Sequence, residues 1–296
     1  MTGNLFKDLA LPAPGPKRLT FKRPEHPIWT ENKAKLIERY LYYFVLVAKH
    51  GAYIDGFAAP QAEGKPESWA AKLVLESKPA FLREFWLCDV TSKGVAALRE
   101  LKRAQPNIPG RTIDVLEGDF NTILADILVS GRITESTATF CLLDQRTFEC
   151  EWRTLERLAK HKTGRKIELF YFLGTGWLDR SLKATRDEER VLRWWGRDDW
   201  KCLFSSSSWD RATIFCDRFK NELGYAYANP WPIYSKDTGG RVMYYMIHAT
   251  DHEAAPLLMN RAYLRANERR ESEKLLQRSL EELGLALPEQ RRPPKS

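Results

Sequence analysis

The chain is poor in residues that staple a fold or hold a metal. Its five cysteines, Cys88, Cys141, Cys150, Cys202 and Cys216, are odd in number and include no Cys-x-x-Cys pair. This argues against zinc and disulfide frameworks and fits a reducing cytosol. Long apolar runs are absent too. The longest, residues 40–48, is far too short to cross a bilayer, and no signal peptide is visible, so the expectation is a soluble, cytoplasmic chain without a membrane partner. A Gly-x-Gly-x-x-Gly fingerprint is missing, which weakens a nicotinamide reading. A Gly-x4-Gly-Lys-[Ser/Thr] loop is missing as well, which argues against an ATPase. His248 and His252 are four apart, but at a strand end turning into a loop and without a third ligand, so no metal is expected.

The 296 residues are 43% hydrophobic and 12% aromatic, enough for the core of one decorated α/β domain. The net charge of +8 favours an anionic partner such as nucleic acid, although the many acids exclude a simple polybasic tail.

Residues 1–27 contain five prolines and read as an extended arm. Thr30 can cap a helix running to Lys49, with Gly51 as its stop. Apolar strand-like runs follow at 52–54, 85–88, 112–116, 139–143 and 167–173. Helical segments at 68–76, 91–104, 121–129 and 151–161 separate them. This alternation implies a parallel sheet with right-handed crossovers, buried on both faces. Residues 177–227 form a helical insertion, and strands near 231–235 and 241–248 flank Asp237-Thr238-Gly239-Gly240, a hairpin signal. A helix over 254–283 closes the chain. The expected fold is therefore α/β: a Rossmann-like class I methyltransferase fold with a mostly parallel, seven-stranded sheet and a C-terminal hairpin. The expected division is an arm at 1–27, a methyltransferase-like domain at 28–260, and a C-terminal helix and tail at 261–296.

The most telling stretch is Tyr53-Ile54-Asp55-Gly56-Phe57-Ala58-Ala59-Pro60-Gln61, a strand that ends in a carboxylate and meets a small-residue turn. Asp89, Asp119 and Asp144 each follow a further apolar run. Four acids at successive strand ends describe a nucleotide-like cofactor lying across them, with S-adenosylmethionine (SAM) the best candidate. Asp55 would hold the ammonium of its methionine part. Gly56, Ala58 and Ala59 leave room for close backbone approach, and their N–H groups can meet the cofactor carboxylate, with Phe57 and Pro60 completing the cofactor turn. Asp89 would bind the ribose hydroxyls, Asp119 the adenine amino group, and Phe120 the ring by stacking. Taken singly, each acid is equally well a cap for the following helix. Asp144, Gln145, Arg146 and Glu149 would face the acceptor, with Asp144 or Glu149 as base, Gln145 orienting an amide or amine, and Arg146 clamping an anion. The competing reading pairs Arg146 with Glu149 and makes Asp144 a helix cap. Neither an Asp/Asn-Pro-Pro-aromatic box nor a Pro-Cys nucleophile is present, and Cys150 reads as a buried small residue. Six tryptophans between 177 and 231 could stack on bases, but acids beside the neighbouring arginines favour a packed insert.

The string Leu142-Leu143-Asp144-Gln145-Arg146-Thr147-Phe148-Glu149-Cys150-Glu151-Trp152 resembles the three-Cys-motif partner protein family. So do Tyr53-Ile54-Asp55-Gly56-Phe57-Ala58, Trp29-Thr30-Glu31-Asn32-Lys33 and Tyr244-Tyr245-Met246-Ile247-His248-Ala249-Thr250. The resemblance implies a SAM-dependent methyltransferase working with a radical-SAM-like protein that carries the three cysteines. It gives no acceptor. Where such enzymes often read Phe-Ala-Gly-Pro-Gly, this chain has Phe57-Ala58-Ala59-Pro60-Gln61, a tighter loop. Two rivals stand beside this reading: a non-catalytic binding subunit on the same fold, and a nucleic-acid-binding protein without SAM chemistry.

Overall fold

The computed structural model describes residues 28, 33–62, 64–175, 178–185, 187–236 and 239–266. The expected arm, the Thr30 cap, Trp177, Arg186, the Asp237–Thr238 turn and everything after residue 266 lie outside them.

Seven strands form one sheet: β1 (Gly51–Asp55), β2 (Leu82–Asp89), β3 (Thr112–Glu117), β4 (Thr139–Leu143), β5 (Glu168–Leu173), β6 (Tyr227–Lys236) and β7 (Gly239–Thr250). Their order is β3-β2-β1-β4-β5-β7-β6. Strands β1 to β5 run parallel, and β7 enters antiparallel between β5 and β6. This is the Rossmann-like arrangement expected of a class I methyltransferase sheet. The helices are α1 (Lys33–Ala48), α2 (Ala70–Glu76), α3 (Ser92–Arg103), α4 (Phe120–Val129), α5 (Trp152–Lys160), α6 (Leu178–Ala184), α7 (Glu188–Trp195), α8 (Ser208–Asn221) and α9 (Ala255–Arg265).

Two-residue alternation along the strands divides the core. Tyr53, Phe85, Leu87, Phe140, Leu142 and Phe170 pack under α1, α2, α3 and α9. Ile54, Trp86, Cys141, Leu143 and Tyr171 pack under α4, α5, α7 and α8. Both faces are covered at the centre of the sheet, so β1, β4 and β5 are buried along their whole length and mostly apolar, while the outer strands β2 and β3 carry charged residues.

Two strands are longer than their apolar runs. β2 begins at Leu82, and its Glu84 pairs at 2.7 Å with Arg132 on the β3–β4 connection. β6 begins at Tyr227 despite Pro230 and Pro232. It is an edge strand, where a missing N–H costs little.

The insertion is a packed layer. Trp194, Trp195 and Trp200 are buried. The Arg218 guanidinium stacks on Trp152 at 3.6 Å and on Trp195 at 4.1 Å, tying α8 to α5 and α7. Arg190, Arg193 and Arg197 pair with Glu149, Glu151 and Asp199. These buried rings offer no stacking platform for bases.

α7 ends at Gly196, whose φ is +80° and whose missing side chain lets Trp152 approach. A Cβ there would lie 2.6 Å from the Trp152 side chain. Gly196→Ala is therefore expected to cost about 2–4 kcal/mol, from left-handed strain plus overpacking. A lower denaturant midpoint at unchanged slope would register it, and a variant as stable as the parent would refute this account of the α5–α7 contact.

Candidate functional site

The strand order reverses between β1 and β4, and the crevice outside their carboxyl ends is where open parallel sheets take ligands. Asp55 closes β1. It lies two residues from Tyr53, hence on the same face, and its Oδ2 accepts the Tyr53 hydroxyl at 2.9 Å. Oδ1 accepts the Phe57 amide at 3.2 Å. Only 1% of the residue is exposed. Burial pushes its carboxyl up to about 7, against the two hydrogen bonds and nearby Lys33, while Asp144 adds repulsion.

Asp144, one residue past β4, is 7% exposed and does not cap a helix. It accepts from Lys33 Nζ at 2.7 Å and from Gln61 Nε2 at 2.6 Å. Lys33 opens α1 and reaches over the sheet, its ammonium 5.6 Å from the Phe172 ring centre and 5.5 Å from that of Tyr244. Burial pulls the Lys33 ammonium down, but Asp144, Tyr244 and Asp55 together more than offset this, and the net shift is upward. The cleft between these groups, roofed by Trp69, retains about 10 Å³, room for one water at most.

The other acids differ. Asp89 is half-buried, and its Oδ1 accepts the amide and hydroxyl of Thr91 at 2.8 and 2.5 Å. Asp119 is exposed and caps α4, its Oδ1 accepting the Asn121 amide at 2.9 Å. Among the described residues, neither Oδ2 has a hydrogen bond.

Several expectations need correction. Three of the turn amides are not free, whereas the Ala59 N–H has no hydrogen bond among the described residues. The Gly56 N–H donates to Leu142 at 3.0 Å, that of Ala58 to Cys88 at 2.8 Å, and that of Phe57 to Asp55. Gly56 is needed because Phe120 packs there, its ring 2.9 Å from where a Cβ would sit. Phe120 itself is 2% exposed and lies against Phe57, so its ring faces protein rather than an open stacking surface. Pro60 is half-buried and outside the cleft lining. Gln145 is buried and pins the β4 loop, donating to the Phe172 carbonyl at 3.3 Å and accepting the Cys150 amide at 2.8 Å. It therefore positions the loop. Glu149 accepts the Thr147 amide at 2.6 Å and pairs with Arg190 at 3.4 Å, not with Arg146. Arg146 is exposed and has no hydrogen bond or ion pair among the described residues. Cys150 is buried, and burial pushes its thiol up, which suits packing rather than attack.

Lys33 and Gln61 are the members that reading the sequence for acids missed. Lys33 stands in the quoted opening motif, but its partner is 111 residues away. Among the described residues no three His, Cys, Asp or Glu gather as a metal site. No described helix is long and apolar enough to cross a membrane.

No family model and no curated protein matches the chain by sequence, so the three-Cys-motif partner resemblance stands on its motifs. Among solved structures, the chain is similar to Trm1 from Pyrococcus horikoshii in complex with S-adenosyl-L-methionine (12% identity, TM-score 0.43). That alignment covers 76% of this chain but only 56% of Trm1. It is also similar to a DUF574 family protein from Streptomyces avermitilis (13%, 0.40), over 74% of this chain and 83% of that one. A third is LPL1258 of the DUF519 family from Legionella pneumophila (9%, 0.42), over 80% and 94%. At these scores the likeness is loose, and the fold rests on its own strand order.

The raised Asp55 carboxyl has a definite pH signature. Its folded value, about 7, exceeds the unfolded value of about 3.9, so the folded state holds the proton longer. Stability should fall as pH rises from about 4 to 7, by up to about 1.4 kcal/mol per unit, and then level off. Denaturant unfolding across this range should show that component in the parent and lose it in Asp55→Asn. An identical slope in the variant would assign it elsewhere.

Lys33→Met strands a buried carboxylate and should cost about 3–5 kcal/mol, and adding Asp144→Leu should restore much of it. Equal losses in the single and double variants would contradict the pairing.

Proposed function

We propose that this chain is a SAM-dependent methyltransferase whose cofactor cleft is the crevice between β1 and β4. The observation that carries this is two buried acids, Asp55 and Asp144, at the point where the strand order reverses, with Asp89 at the neighbouring strand end. A carboxyl poised near neutrality ionises when a cation meets it, so Asp55 suits the ammonium of the methionine part. Lys33 suits the carboxylate beside that ammonium. Asp89 and Asp119 keep one oxygen each for the ribose hydroxyls and the adenine amino group. Val90, 68% exposed next to Asp89, adds an apolar face for the base. When bound, the cofactor supplies an electrophilic methyl group on a sulfonium.

Asp144 is the acid placed to remove an acceptor proton, because it lines the cleft and Glu149 does not. Gln61 covers Asp144 and must swing aside first. Exposed Arg146 and the net charge of +8 favour an anionic acceptor, a nucleic acid or nucleotide. The family resemblance adds a radical-SAM-like three-cysteine protein as partner.

One observation favours a second reading. Lys33 and Gln61 fill the cleft down to about 10 Å³, which suits a non-catalytic binding subunit on the same fold. Calorimetry with SAM and S-adenosylhomocysteine at about 100 µM protein separates the two. The methyltransferase reading expects binding that weakens tenfold or more in Asp55→Ala, tightens about threefold in Gln61→Gly, and weakens as pH falls below 7. Silence from both the parent and Gln61→Gly would leave the binding subunit. Repeating the titrations and methylation assays with a three-cysteine protein present tests the partner, and no change in either would remove it.

A further inference from the structure

A second cavity, of about 280 Å³, lies at the opposite end of the sheet, where the amino ends of β4 and β5 meet the end of α1 and the start of α9. This is close to the small end of the range for ligand pockets. Lys33 and Tyr40 lie about two turns apart on α1, so this helix spans the sheet from the candidate cleft to the cavity.

One wall is apolar, made by Tyr40, Phe44, Val47 and Leu258. The other carries charge. Lys162 is 5% exposed, and its Nζ donates to the carbonyl of Thr137 at 2.8 Å. Among the described residues no carboxylate lies within ion-pair distance of it. Arg165 is exposed and has no hydrogen bond or ion pair among the described residues.

The acids of the cavity are engaged elsewhere. Asp251 pairs with Lys166 at 3.1 Å. Glu168, 8% exposed, accepts on Oε2 from the Tyr40 hydroxyl at 2.5 Å and meets His248 Nε2 at 3.0 Å. Its Oε1 has no partner among the described residues. The cavity thus holds a buried ammonium that Glu135 and Glu168 influence only from beyond ion-pair distance, a guanidinium without an ion pair, and one open acceptor beside an apolar wall. A buried charge without a contacting counter-ion is costly, burial pulls the Lys162 ammonium down despite Glu135 and Glu168, and an anion entering the cavity relieves it.

We propose that this cavity binds a small phosphorylated molecule. Its phosphate meets Lys162 and Arg165, its body lies on Tyr40 and Phe44, and a hydroxyl or amino donor reaches Glu168 Oε1. Phosphate fits better than a carboxylate because two unpaired cations match a dianion and the arginine fork grips two of its oxygens. The site is independent of the cleft between β1 and β4.

The test is calorimetric titration of phenyl phosphate, ribose 5-phosphate and inorganic phosphate into the full chain. An organic phosphate should bind at least tenfold tighter than inorganic phosphate. Arg165→Gln should weaken it about tenfold and Lys162→Met more, with the response to SAM unchanged. Arg165 is exposed, so its variant keeps the test valid even where Lys162→Met does not fold. The proposal is overturned if neither organic phosphate saturates below about 10 mM, or if Arg165→Gln binds as the parent does.

Discussion

The two-residue alternation of strands covered on both faces governs this molecule. It sends Tyr53 and Asp55 to the α1 side and Ile54 and Cys141 to the other. At the central strands, a carboxylate carried to the strand end does not reach bulk water. It is sealed beneath a helix, and its ionisation becomes costly. The raised carboxyl of Asp55 and the capture of Asp144 by Lys33 are two answers to that single constraint.

Strand-end acids consequently fall into two kinds. Asp55 and Asp144 are buried and held by side chains from distant segments. Asp89, the last residue of β2, and Asp119, just past β3, are less buried and spend one oxygen on the start of the next helix. The second arrangement is what local chain geometry favours wherever an acid precedes a helix. The first needs the assembled sheet. The small-residue turn after β1 follows the same logic: its amides complete the backbone bonding of β2 and β4, and Gly56 makes room for Phe120.

Much of the fold was legible in the chain. β4 coincides with its apolar run, and β1, β3, β5 and the crossover helices agree to within a residue or two; β4 and β5 read most clearly, because strands buried on both faces are nearly continuously apolar. The prolines of β6 obscured its length, since their tolerance depends on the strand lying at the sheet edge. The insertion read correctly as packed, because acids next to its arginines signalled pairing. Within the site, the positions of Asp55 and Asp144 were legible, but the structural roles of Gln145 and Phe120 were not. Both depend on what lies opposite them across the core.

The sequence by itself determined the strand-helix alternation, the burial of both sheet faces and the placing of acids at strand ends, because periodicity and local turn chemistry are written in neighbouring residues. Only the tertiary structure decided which acids are buried, that Lys33 and Gln61 close over Asp144, and that Lys162 lines a cavity without a direct ion pair. Those outcomes rest on contacts between segments far apart in the chain, where solvent exclusion sets the strength of a charge and no local pattern encodes the partner.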